Sequence, residues 1–266
     1  MTEESEIEIT GKQRRKGIYI LPNLFTTSSL FAGFYAIVQA SMGGYENAAI
    51  AIFISMIMDG LDGRVARMTN TTSDFGAEFD SLADMVCFGL TPALVIYDWA
   101  LSSFGKLGWL VAFLYVAATA LRLARFNTQV NHDKHYFQGL ACPAAAAVLA
   151  ATVWVFNSPE ARGQPLAIFS LLLTLVSAAA MVSNIRYRSF KDFDLKGRVP
   201  FVALLALVVI FVTISFDPPK VLFVGFMGYL FSGPAVALWR RRNRAVRAQA
   251  RAQSHAADID KAQNDT

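Results

Sequence analysis

Apolar runs recur along this chain from Ile18 to Trp239, each near the roughly 20 residues that a helix needs to cross a hydrocarbon core. Apolar residues make up 55% of the 266 positions and charged residues only 17%. A soluble domain usually carries about a quarter charged residues. The solvent for this chain is therefore a bilayer, and the expected fold is an all-α polytopic membrane bundle of about eight helices. The expected spans are Ile18–Ser41, Asn47–Met68, Phe79–Leu101, Leu107–Phe126, Phe137–Asn157, Pro165–Asn184, Val199–Phe216 and Lys220–Trp239. The second and third are atypical because they contain several charges. Only Asp217-Pro218-Pro219 divides the last two.

Basic residues alternate between the loops. One side holds Lys12, Arg14, Arg15, Lys16, Arg64, Arg67, Arg122, Arg125, Lys134, Arg186, Arg188, Lys191, Lys196, Arg198 and the tail; the other holds Lys106, Arg162 and Lys220. By the positive-inside rule the rich side is cytoplasmic. An even number of spans then puts both termini there, in an integral inner (cytoplasmic) membrane protein. The parts expected are a cytoplasmic segment 1–17, a core 18–198 of six helices, two additional helices in 199–239 and a basic cytoplasmic tail 240–266. The polar, acidic start does not read as a secretory signal.

Several function classes find no support. The net charge of +4 follows membrane topology, and no interleaving of basic and aromatic residues points to nucleic acid. Cys87 and Cys142 each stand alone in apolar sequence and read as small buried residues. His132 and His135 fall in a polar loop and read as solvated. There is no Ser nucleophile elbow and no phosphate-cradling Gly loop with Lys.

The segment from Asp59 to Asp84 carries the chemistry. Asp59 and Asp62 are three apart, Asp80 and Asp84 four apart, so each pair shares one helix face. The polar stretch Thr69–Asp74 between them reads as a turn, which would bring all four carboxylates together near the cytoplasmic surface. An Asp at the centre of a span costs some 2.5–3.5 kcal/mol, and four of them repel one another. Their convergence implies counter-cations, and oxygen-only ligands suit Mg2+, Mn2+ or Ca2+. Gly60, Gly63, Ala66 and Gly76 among the acids leave room for a ligand or a facing helix. From the residues alone, an ion or proton transporter is the competing reading, although no internal repeat of the transporter kind is visible.

Asp59-x-x-Asp62-Gly63-x-x-Ala66-Arg67, eight residues, then Gly76-x-x-x-Asp80-x-x-x-Asp84 resembles the signature of the CDP-alcohol phosphatidyltransferases at every position and in both gaps. Leu21-Pro22-Asn23-Leu24-Phe25-Thr26 is similar to that family's first-helix start. Phe88-Gly89-Leu90-Thr91-Pro92-Ala93 and Arg122-Leu123-Ala124-Arg125-Phe126-Asn127 resemble its phosphatidylserine synthase branch. Phe137 to Pro143 resembles that branch's Gly-Leu-Pro-x-Pro segment, with Ala141 where Pro is expected. The likeness covers roughly residues 20 to 200.

The resemblance implies transfer of a phosphatidyl group from CDP-diacylglycerol to the hydroxyl of L-serine, giving phosphatidylserine and CMP. It implies a divalent metal, Mg2+ or Mn2+, with Asp59, Asp62, Asp80 and Asp84 as its ligands, Asp84 also serving as general base and approaching a second metal. Asn23, Thr26, Gly63, Ala66, Arg67 and Gly76 are the implied CDP-diacylglycerol contacts. Arg122, Arg125 and Asn127 are the implied acceptor contacts, a guanidinium fork suiting a carboxylate. The lipid bilayer and a second copy in a homodimer are the implied partners. Glycerol 3-phosphate and inositol remain open as acceptors.

Overall fold

The computed structural model describes residues 3–69, 71–128, 136–158, 163–188, 201–237 and 239. His132, His135, all of 189–200 and the tail 240–266 lie outside them. Helices dominate: α1 (Glu3–Ser41), α2 (Tyr45–Met68), α3 (Asp74–Asp84), a π-helical stretch (Met85–Leu90) and α4 (Thr91–Trp99). A 3-10 turn (Leu101–Phe104) leads to α5 (Lys106–Thr128), α6 (Cys142–Val155), α7 (Gln164–Val182) and α8 (Phe201–Phe216). The last helix among the described residues, α9, is Pro218–Ala237.

The protein is an all-α polytopic membrane protein, and each expected span overlaps helical residues. Leu21–Ser41, Asp74–Trp99, Lys106–Thr128, Gln164–Val182 and Pro218–Ala237 are long and apolar enough to cross a membrane. α2 is long enough but carries the charged acids and arginines of the signature; α6 and α8 are shorter, at 14 and 16 residues. Large apolar side chains such as Phe31, Phe34, Phe113, Leu121, Phe211 and Phe231 face outward, as side chains solvated by lipid do.

The centre of the bundle is built from small residues. α1 packs along α2, α6 against α2, and α5 against α7. The run Ala144–Ala151 of α6 is buried on all sides. With lipid outside, helices associate through close van der Waals approach, and alanine permits it. A helix that is apolar all round belongs in such an interior.

One expected boundary is corrected. The fifth span was expected from Phe137, but helix begins only at Cys142. Tyr136–Gln138 instead forms strand β1, antiparallel to β2 (Arg186–Arg188), with Phe137 opposite Tyr187. Gly139 causes the change. Its φ is +79°, and a Cβ there would lie 2.2 Å from the Met181 carbonyl oxygen. Its N–H donates to Ile185 O at 2.9 Å and that of Leu140 to Ala180 O at 3.0 Å, which ties the ribbon to the end of α7.

Gly108 is the other position where backbone space decides. A Cβ there would sit 1.9 Å from the Leu101 carbonyl oxygen. Gly108→Ala therefore forces α5 away from the 3-10 turn, at a cost of about 1–3 kcal/mol. The expected result is a lowered thermal midpoint in detergent. Gly225→Ala, where a Cβ meets nothing within 4 Å, should leave that midpoint in place.

Candidate active site

The acids are gathered at one end of the bundle by α1, α2 and α3. After α2 the chain turns through threonines that bond to the helix they leave. Thr69 Oγ1 donates to Val65 O at 2.7 Å and the Thr71 N–H to Ala66 O at 3.0 Å. Ser73 then caps α3 in extended conformation, its Oγ accepting from the Gly76 N–H at 3.1 Å.

Asp59, Asp62 and Asp80 each offer a carboxylate oxygen, and the three atoms lie within 4.8 Å of one another. Asp62 is buried, and its Oδ2 accepts from Thr26 Oγ1 at 2.9 Å. Asp84 stands outside this trio, close to Asp59. Asp80 Oδ1 and Asp84 Oδ1 are buried with no hydrogen-bond partner. Buried orphan oxygens are rare. Converging carboxylates with orphan oxygens form a donor set that fits a hard divalent cation.

Beside the trio opens a cavity of about 280 Å³. All six residues expected to contact the nucleotide-lipid donor line it: Asn23, Thr26, Gly63, Ala66, Arg67 and Gly76. Asp62 and Asp80 complete its wall on the acid side. Gly76 adjoins the Ser73 hydroxyl and the Asn23 amide oxygen, at 3.2 and 3.6 Å from where a Cβ would stand, so any larger residue would crowd this wall.

The three residues expected to bind the acceptor have different surroundings. Arg122 Nη1 contacts Cys142 Sγ at 3.1 Å, while its Nε is buried without a partner. Cys142 is itself within electrostatic range of Asp84, so Arg122 lies near the acid cluster. Arg125 Nη2 donates to Asn184 Oδ1 at 2.8 Å. Asn127 Nδ2 donates to Ser81 Oγ at 3.0 Å, pinning the end of α5 to the acid-bearing helix α3.

The sequence profile of the CDP-alcohol phosphatidyltransferase family matches residues 19–214. The chain belongs to this family. Among similar family members, the CDP-diacylglycerol–serine O-phosphatidyltransferase of Helicobacter pylori (strain 26695) is 42% identical over 221 residues, 81% of this chain and 90% of that one. The enzyme of the same name from Bacillus subtilis is 31% identical over 64% of this chain and 91% of its own length. A crystal structure of Mycobacterium tuberculosis phosphatidylinositol phosphate synthase with CDP-DAG bound is 18% identical, covers 62% of this chain and 82% of that one, and superposes with a TM-score of 0.48. Membership of a transferase family removes the transporter reading of the four aspartates.

Several site residues carried no warning in the sequence. Thr71, Thr72, Ser73 and Ala77 line the donor cavity because the turn folds back over it. Cys142 is buried, as its apolar surroundings in sequence imply, and its sulfur also touches Arg122.

Proposed function

We propose that this chain transfers the phosphatidyl group of CDP-diacylglycerol to the hydroxyl of L-serine, releasing phosphatidylserine and CMP. The observation that carries the reading is the convergence of Asp59, Asp62 and Asp80 beside a cavity lined by the six donor residues. The choice of serine rests on the 42% identity to an enzyme of that name over 81% of the chain.

Asp59, Asp62 and Asp80 would hold the divalent ion, Mg2+ or Mn2+, and bound there it would neutralise the pyrophosphate and stabilise the CMP leaving group. Thr26 orients Asp62 through its hydroxyl. Asn23, Gly63, Ala66, Arg67 and Gly76 receive the nucleotide end of the donor, the small residues giving it access to the backbone. Asp84, with an unpartnered buried oxygen, takes the proton of the attacking serine hydroxyl, and it would also be available as a ligand were a second metal bound. Arg122 has an unpartnered Nε and a planar fork that suits the serine carboxylate. Arg125 and Asn127 hold the end of α5 in place beside it.

By the positive-inside rule the basic loops support a cytoplasmic orientation of this end of the bundle and of both termini, in the inner membrane. The six-helix core 18–198, the two further helices of 199–239 and a homodimeric assembly belong to the same reading.

The test is CMP release from CDP-diacylglycerol in detergent with Mn2+ or Mg2+, comparing L-serine, glycerol 3-phosphate, inositol and no acceptor. Serine- and metal-dependent release is expected. Release driven by another acceptor overturns the choice of serine. Arg122→Lys is expected to raise KM for serine about tenfold or more, because an ammonium cannot form the bidentate pair. KM for CDP-diacylglycerol should stay unchanged, as the group removed binds only the acceptor.

A further inference from the structure

The segment Phe88-Gly89-Leu90-Thr91-Pro92-Ala93, directly after the last catalytic acid, is not used by the mechanism above. It contains an anomaly in the backbone. Between Asp84 and Thr91 the helix widens into a π-helical stretch, Met85–Leu90, in which the Thr91 N–H bonds to Val86 O, five residues back. Such stretches are rare and occur mostly at functional sites.

The cause is readable in the residues. Pro92 has no N–H, so the carbonyl four residues before it, that of Phe88, loses its α-helical partner. A buried orphan carbonyl is costly. Here Tyr115 of α5, fully buried, donates its hydroxyl to Phe88 O at 3.1 Å. Two further bonds fasten the step to α1: Thr91 Oγ1 to Gly33 O at 3.2 Å and Cys87 Sγ to Ser29 O at 3.3 Å. Gly89 lies against Thr119, one turn along α5 from Tyr115, with 3.1 Å between the methyl group and the place of a Cβ.

The widened turn has a geometric consequence. At about 100° per residue, a continuous α-helix would turn the buried face of α4 (Thr91, Pro92, Val95, Ile96, Trp99) roughly a quarter turn from the face bearing Asp80 and Asp84. The π stretch removes most of that offset. Both faces then point into the bundle at once, the acids to the trio and α4 to the core.

We propose that Tyr115 is a positioning residue for catalysis, holding the π-helical step at Phe88 so that Asp80 and Asp84 face the acids of α2. The inference rests on the assignment of Asp84 as base and Asp80 as metal ligand. Tyr115 also shares a face of α5 with Arg122, two turns on. One helix thus presents the acceptor's arginine and fixes the direction of the base.

The test uses the full chain in detergent. Tyr115→Phe removes one oxygen and keeps the ring. It is expected to lower kcat about tenfold or more and to raise the Mn2+ concentration for half-activation, together with a lower thermal midpoint. Pro92→Ala returns an N–H to Phe88 O and lets the segment relax toward a regular helix. Alone, it should lower kcat without lowering the midpoint. Combined with Tyr115→Phe, it should restore the midpoint and leave kcat low, a split that a purely structural role would not produce. Wild-type kcat and metal requirement in either single variant, or recovery of activity along with stability in the double, overturns the proposal. Asp84→Asn assayed in parallel separates the two levels. If it is inactive while Tyr115→Phe behaves as wild type, only the role of Tyr115 fails; if it is active, the assignment of the base fails first.

Discussion

Asp84→Asn should lower kcat by roughly two to four orders of magnitude, the range that a positioned general base contributes. The substitution keeps the side chain's shape and one oxygen, so the packing against Asp59 survives. What it removes is a site for the serine proton at the moment of attack. Asp84 stands outside the three acids whose oxygens lie within 4.8 Å of one another. Metal-induced stabilisation, read as the rise in thermal midpoint on adding Mn2+, should therefore change by no more than a few-fold in apparent affinity. KM for CDP-diacylglycerol should likewise hold, since Asp84 does not line the donor cavity. A kcat within tenfold of wild type would mean that another group takes the proton. A lost metal response would mean that Asp84 acts chiefly as a ligand.

Much of this arrangement was legible before any coordinates. The paired spacings of Asp59 with Asp62 and Asp80 with Asp84 fixed which faces would meet, because helical periodicity is a local property. The polar turn between them and the small residues among them were equally local. The spans were legible because the bilayer imposes one length on every crossing. What could not be read depends on partners distant in sequence. Tyr115 looks like any aromatic residue in an apolar helix; only its approach to the Phe88 carbonyl, 27 residues away, gives it a role. Pro92 signals a disturbed helix, but whether the chain kinks, breaks or widens is decided by what satisfies the freed carbonyl. The β-ribbon was missed for a similar reason. Tyr136–Gln138 finds its partner at Arg186–Arg188, and Phe137 belonged by hydropathy to the helix that follows. The three acceptor residues looked equivalent in sequence, and their differences arose from contacts with Cys142, Asn184 and Ser81 on other helices.

Asp62→Asn should abolish activity and yet make the metal-free protein more stable. Two effects compete. Asp62 accepts the Thr26 hydroxyl at 2.9 Å, and replacing a charged acceptor with a neutral one weakens that bond by about 1 kcal/mol. Against this stands repulsion. Two unit charges separated by the 4.8 Å that bounds this cluster repel by about 3 kcal/mol at an effective dielectric constant of 20, and Asp62 faces both Asp59 and Asp80. Repulsion is the larger effect, so in EDTA the variant should melt several degrees above wild type. Adding Mn2+ reverses the order. A ligand at 100 times its Kd stabilises the folded state by about 2.7 kcal/mol, and the wild type should gain this while the variant gains little. The crossing of the two melting curves with metal is the measurement. A variant that melts below wild type in EDTA would show that the acids are already neutralised within the protein. One that responds to Mn2+ as wild type does would remove Asp62 from the metal site. The expected pattern is that of a site in which the acids are kept at a cost to the fold because the reaction needs the cation they hold.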